Sequence, residues 1–151
     1  MSNTQAMATS FKGEILSGIH ALGTTVIRAG TGADTLKAAL YLASATINAA
    51  TTAYTVTGEV SGTGYSAGGV AVTNANPPTT SGTTGYWTPS ASITYTTVTL
   101  TTAFDCVLIY NSTQSNKAIS AHTFGSQTVT AGTFTLTMPV SDATNALIRI
   151  A

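Results

Sequence analysis

The sequence predicts a mainly β protein, a single-domain antiparallel β-sandwich of jelly-roll type with one short N-terminal helix. Segments rich in Thr, Val, Ile and Tyr recur over residues 34–151, and Gly, Asn, Pro and Ser separate them at short intervals. The length of 151 residues is enough for one domain with its own core. We therefore expect residues 1–151 to form one domain, which begins with an N-terminal arm, residues 1–9.

A helix is predicted over residues 10–22. Its apolar residues recur at spacings of four, four and three, which places them on one helical face: Phe11, Ile15, Ile19 and Leu22. Ser10 is a suitable N-cap and Gly23 a suitable end. Because Gly13 and Gly18 each weaken a helix by about 1 kcal/mol relative to Ala, this helix should depend on packing against the sheets.

Seven or eight strands are expected after residue 34. CVLIYN, residues 106–111, is apolar on both faces, which predicts a central strand, whereas TFTLTMP, residues 133–139, alternates apolar and polar residues. The other segments are TLKAALYLAS, GVAVTN, SITYTTVTLTT, AISAHTF and ALIRI. The expected core includes Leu40, Val107, Ile109, Phe134, Leu136 and Ile148.

The glycine-rich stretch VSGTGYSAGG, residues 60–69, could be a phosphate-binding loop or a turn. Its glycines read G-x-G-x-x-x-G, one residue longer than a dinucleotide fingerprint, and the next segment has a strand pattern rather than a helical one. A Lys followed by Ser or Thr, as a Walker loop requires, is absent. The stretch is therefore predicted to be a turn, with Tyr65 attaching it to the core.

Composition and spacing favour a protein without chemistry of its own. Charged residues make up 7% of the chain and the net charge is zero, which removes the electrostatic attraction that nucleic acid or an anionic membrane needs. His20 and His122 have no second ligand at metal-binding spacing, and the five acidic residues are scattered. Cys106 lies among apolar residues and should be a buried, inert thiol. We expect no catalytic site, cofactor, metal or membrane span.

The one long loop, residues 74–85, is a candidate contact element. Pro77 and Pro78 exclude both helix and central strand there, and Tyr86 and Trp87 follow directly. Large rings concentrate binding energy at interfaces. These four residues are the predicted interface.

Several motifs together resemble a widespread family of small structural proteins of tailed double-stranded DNA bacteriophages. They are FKGEILSGIHAL, then D-T-x-K-x-A-L-Y, E-V-x-G-T-G-Y-x-A-G-G, L-I-Y-N and the terminal D-A-T-N-A-x-I-R-I-A, in this order over most of the chain. The region 24–33 is longer than the usual link between helix and first strand, which leaves its role open.

The resemblance implies a virion component without enzymatic activity, made in the host cytoplasm. Two placements follow: a capsid decoration (cement) protein on the head shell, or a tail, neck or fibre component, including a sugar-binding module that uses Tyr86 and Trp87. The expected partners are further copies of the chain, as a trimer on threefold shell sites, and the major capsid protein or other virion proteins. A hydrolase within the β-sandwich is a third class, for which no site is assembled in the sequence.

Overall fold

The computed structural model describes residues 2–16, 18–24 and 32–151 of the chain. Its elements are β1 (Ala6–Met7), α1 (Thr9–Leu16), β2 (Leu36–Leu42), β3 (Val70–Ala71), β4 (Thr79–Ser81), β5 (Thr84–Trp87), β6 (Ile93–Asn111), β7 (Lys117–Leu136) and β8 (Ile148–Ile150). The larger sheet has the order β1-β7-β6-β2-β3 and the smaller one β4-β5-β8. All pairings are antiparallel, which confirms the predicted mainly β fold with one short helix. The jelly-roll connection stays a prediction.

Two long strands form most of the larger sheet, where the sequence predicted four shorter ones. SITYTTVTLTT, apart from Ser92, and CVLIYN both belong to β6, and AISAHTF and the first four residues of TFTLTMP both belong to β7. The register shifts repeatedly between Tyr95 and Phe104, because the two strands contribute unequal numbers of residues there. Such bulges bend a strand without ending it.

The bend folds the β6–β7 hairpin back on itself. Phe124 and Phe134 lie on the same strand, and ten residues of straight strand would span about 33 Å. Their ring centroids are nevertheless 5.3 Å apart, and Phe104 lies 5.0 Å from Phe134. The half of the hairpin that contains Tyr95 and Phe134 also contacts β2, because the Tyr95 hydroxyl donates a 2.9 Å hydrogen bond to the Ala38 carbonyl oxygen. The two halves of the hairpin therefore form facing layers around an aromatic core.

The helix is shorter than predicted. It ends at Leu16 rather than at residue 22, and the Gly18 N–H then closes a turn on the Ile15 carbonyl oxygen at 3.0 Å. Gly18 has a φ of 66°, a left-handed conformation that ends a helix. The predicted cap was also wrong: Ser10 lies inside the first turn, and its buried hydroxyl has no hydrogen-bond partner among the described residues.

The core is centred on β2 and on the half of β6 that pairs with it. CVLIYN is buried along its whole length, as predicted for a central strand. Leu40, Val107, Ile109 and Ile148 are buried as predicted. Phe134 and Leu136 are only half-buried, because they lie on an edge-side strand and pack against the core from its rim.

The loop predictions need two corrections. Residues 74–85 are not one long loop: they contain β4 and the start of β5, joined by a turn at Gly82 and Thr83. GVAVTN provides only the two-residue strand β3. Of the region 24–33, whose role the resemblance left open, residues 25–31 lie outside the described residues.

Candidate interaction surface

The smaller sheet presents two different faces, set by its register. Gly85 pairs with Thr80 on one side and with Ile150 on the other, and Trp87 pairs with Ile148. Tyr86 pairs with Arg149 and belongs to the opposite face, because successive side chains of a strand alternate. One face is therefore apolar, and the other carries a charge.

An apolar groove runs along the first face, between the small sheet and the segment that follows α1. Its volume is about 290 Å³. The apolar side chains lining it are Ile15, Leu22, Pro78, Trp87, Ile148 and Ile150. His20, Thr79, Thr80 and Tyr86 add polar groups, and Asp, Glu, Lys and Arg are absent from the lining formed by the described residues. Such a surface suits an apolar, uncharged partner.

Trp87 forms part of the groove from inside the core. The residue is 1% exposed, and its indole N–H donates to the Asn76 carbonyl oxygen at 2.9 Å. Its side chain lies on the inward face of β5, and its predicted role as an interface anchor stays a prediction. Tyr86 and Trp87 follow a Thr- and Gly-rich segment, but this position in the sequence does not show which face of β5 each ring occupies.

The other predicted interface residues lie closer to solvent. Tyr86 is half-buried, while Pro77 and Pro78 are exposed. The structure places Pro78 and Tyr86 at the groove and leaves Pro77 outside its lining. Their part in an interface stays a prediction.

Hydrogen bonds fix the wall of the groove at the proline pair. The Gly23 N–H donates to Asn74 Oδ1 at 2.6 Å, and Asn74 Nδ2 donates to the Gly23 carbonyl oxygen at 3.2 Å. A side chain on Gly23 would come within 2.9 Å of Pro77 Cα and 3.0 Å of Pro78 Cδ. The segment after α1 and the proline pair are thus packed as one unit.

A buried carboxylate anchors the same segment to the end of β6. Asp34 Oδ2 accepts hydrogen bonds from the Ala21 N–H at 2.7 Å and from Asn111 Nδ2 at 2.8 Å. Asn111 Oδ1 accepts from the Gln114 N–H, so the amide nitrogen faces His20 Nδ1, 3.0 Å away. In this orientation His20 Nδ1 is the acceptor. These contacts hold His20 and Leu22 at the groove.

A second buried carboxylate explains the glycine-rich stretch. Glu59 accepts hydrogen bonds from the hydroxyls of Tyr54 at 2.7 Å and Tyr65 at 2.8 Å, and from the Gly68 N–H at 2.7 Å. The Tyr65 oxygen in turn accepts the Leu40 N–H at 3.0 Å. Gly69 lies so close to the Ala38 carbonyl that no side chain would fit. The predicted structural role of residues 60–69, with Tyr65 as the attachment, is confirmed.

The sequence did not reveal this Glu59–tyrosine network. Glu59 stood as one of five scattered acidic residues, although its hydrogen-bond partners Tyr54, Tyr65 and Gly68 all lie within nine positions of it. Burial raises the pKa of Tyr54 to about 12, and the hydrogen bond to Glu59 adds to this shift. The pKa values of Tyr41, Tyr65, Tyr95 and Tyr110 are raised mainly by burial as well. Glu59 and its partners Tyr54, Tyr65 and Gly68 form their hydrogen bonds within the fold, so we interpret this network as structural.

His122 and Cys106 also have structural settings. Burial lowers the pKa of His122 to about 4, and its Nε2 lies 2.9 Å from Ser120 Oγ. Cys106 is buried as predicted, and burial together with the nearby Asp105 charge raises the pKa of its thiol to about 12. Within the described part of the chain, no three His, Cys, Asp or Glu residues group as metal ligands. No helix described there has the length and apolar character to cross a membrane.

Comparison with known proteins gives no assignment: no family model, curated protein or solved structure matches this chain.

Proposed function

We propose that this chain is a structural protein of a tailed-bacteriophage virion, and that it acts as a capsid decoration protein that binds and stabilises the head shell. The observation that carries the proposal is the apolar groove of the small sheet, on a fold whose buried carboxylates Asp34 and Glu59 are hydrogen-bonded internally. The sequence motifs that resemble phage structural proteins supply the biological setting.

The groove suits attachment in many copies. A groove of about 290 Å³ accepts only a few side chains, so the contact made by one copy is small. An oligomer that contacts the shell at several points gains affinity by multivalency, which favours self-association and repeated shell sites. Self-association as a trimer on threefold shell sites stays a prediction.

The alternative placement is a tail, neck or fibre component. Its sugar-binding form required Tyr86 and Trp87 to offer stacking surfaces together. Trp87 is 1% exposed and Tyr86 belongs to the opposite face of β5, so the two rings do not form one platform. Placement in the tail or neck without sugar binding is distinguished by the number of copies in the particle.

A salt wash of purified particles tests the mode of attachment. Raising salt from about 0.1 M to about 1 M shortens the electrostatic screening length roughly threefold. Because no Asp, Glu, Lys or Arg lines the part of the groove that the structure describes, we expect the protein to stay bound. Its complete release by salt would contradict attachment through this groove.

A further inference from the structure

We propose that strand β4 binds an extended, uncharged, apolar segment of the shell protein by adding it as a fourth strand to the small sheet, with side chains of that segment entering the groove. This inference rests on the proposed function, because it names the binding mode of the shell contact.

The first observation is the edge of the small sheet. β4 lies at the end of the order β4-β5-β8, and within residues 2–16, 18–24 and 32–151 no strand pairs with its outer side. Thr79, Thr80 and Ser81 are all exposed. An unpaired edge of this kind is a template for another extended segment.

The second observation is the direction of the Thr80 backbone. Ser81 pairs with Thr84 across a two-residue turn, Thr80 with Gly85, and Thr79 with Tyr86. In a hairpin with a two-residue turn the closing pair, here Ser81 and Thr84, is a hydrogen-bonded pair, and hydrogen-bonded and non-hydrogen-bonded pairs alternate along an antiparallel ladder. Thr80 is therefore a non-hydrogen-bonded position, and its N–H and C=O point away from β5 toward the outer side of β4.

The third observation joins this edge to the groove. Thr80, Gly85 and Ile150 form one row across the small sheet on the groove face. A strand added beside Thr80 would continue that row and place alternate side chains over the groove. Ile150 is 48% exposed, which leaves apolar surface for those side chains to cover.

The uncharged character of the groove and of β4 indicates what kind of segment would bind there. The groove lining has no Asp, Glu, Lys or Arg among the described residues, and β4 itself has only hydroxyl side chains. A charged segment would lose hydration there without gaining an ion pair. The complementary partner is an uncharged strand with apolar residues at alternate positions.

The test uses the full chain and a capped synthetic heptapeptide of alternating Thr and Val as the probe. We expect peptide binding to shift the amide resonances of Thr79–Ser81 and Ile150 in nuclear magnetic resonance spectra. The same peptide with N-methylated backbone amides, or with Asp in place of Val, should not bind. No binding of the unmodified peptide, or shifts confined to other parts of the fold, would overturn the proposal.

Two pairs of variants make the test specific. Thr80→Pro removes the outward N–H and leaves the β4–β5 ladder in place, whereas Thr80→Ala keeps that N–H. We expect Thr80→Pro to weaken peptide binding at least about tenfold relative to Thr80→Ala, as the loss of one well-made hydrogen bond implies. Ile150→Asp should weaken it, and Val140→Asp, at an exposed apolar residue outside the groove, should not. Equal binding within either pair would contradict this site.

Analytical sedimentation of the isolated chain tests whether a second copy of the chain, rather than a shell segment, pairs with β4. If the wild-type chain self-associates and Thr80→Pro abolishes this, the edge is filled by a second copy, which overturns the assignment to a shell segment. The peptide experiment needs no particle, so its failure is distinct from a failure of the proposed virion role.

Discussion

The indole N–H of Trp87 donates a 2.9 Å hydrogen bond to the carbonyl oxygen of Asn76, which ties β5 to the segment leading into the proline pair. Asn76 Nδ2 also donates to the Thr88 carbonyl oxygen at 3.1 Å, so the two segments are joined twice. The inner wall of the groove is thus part of the folded core rather than an adaptable loop. Changes at Trp87 should act on stability first.

Trp87→Ala should lower the free energy of unfolding by roughly 3–5 kcal/mol, because it empties a large buried site. Trp87→Phe keeps a ring but loses the bond to Asn76, and should cost less. Urea denaturation of both variants measures the difference. A Trp87→Ala protein as stable as wild type would show that the ring is not a core residue.

Two truncations on the long strands should differ in size. Ile109 is 1% exposed, and Ile109→Ala should cost roughly 2–5 kcal/mol of unfolding free energy. Leu136 is half-buried at the rim, so Leu136→Ala leaves a smaller cavity and should cost less. Denaturant unfolding of the pair checks the order. A larger loss at Leu136 would contradict the placement of these residues in the hairpin.

Removal of the Glu59 side chain should destabilise the fold more than removal of one of its donors. Glu59→Ala leaves the Tyr54 and Tyr65 hydroxyls and the Gly68 N–H without their acceptor, and should cost at least about 3 kcal/mol. Tyr54→Phe removes a single hydrogen bond to the charged group and should cost about 1.5–3 kcal/mol. Thermal and urea unfolding provide the comparison. Equal losses would mean that the three bonds do not act as one network.

Acid should weaken the fold through His122. Its pKa is lowered by burial from 6.5 to about 4, so the unfolded chain takes up the proton first as pH falls. The stability contributed by neutral His122 is complete above about pH 6.5 and is lost toward pH 4. With partial solvent exposure taken into account, we expect the loss to be about 1–3 kcal/mol.

The comparison with His122→Gln separates this residue from the carboxylates, which also titrate in this range. Unfolding free energies of both proteins are measured from pH 7 to pH 4. The wild-type curve should fall more steeply than that of the variant. Parallel curves would contradict a depressed pKa at His122.

Local patterns predicted the parts of the fold that depend on neighbouring residues. The alternation in TFTLTMP and the double-faced apolar character of CVLIYN gave the correct burial, because side-chain period follows directly from strand geometry. Continuity of the strands was missed because bulges bend β6 and β7 without ending them, and the exposed residues at the bend resemble a turn. The helix end was missed because the apolar stripe continues through Ile19 and Leu22 after Gly18 has ended the helix.

The candidate site was predictable only in part. Composition predicted a contact surface without ionic character, and the sequence placed it at Pro77, Pro78, Tyr86 and Trp87, which stays a prediction. The groove itself depends on contacts between distant segments, such as Gly23 with Asn74 and Gly85 with Ile150. The partners of Glu59 lie within nine positions along the chain, but which of these side chains meet depends on how the turn folds, so the sequence carried no signal of the network.

The copy number of this protein in purified virions tests the central claim most directly. Quantitative mass spectrometry against the major capsid protein measures the ratio of the two chains. A decoration protein follows the symmetry of the shell, so we expect on the order of hundreds of copies per particle. About a dozen copies or fewer would place the protein in the tail or neck, and its absence from the particle would contradict a virion role.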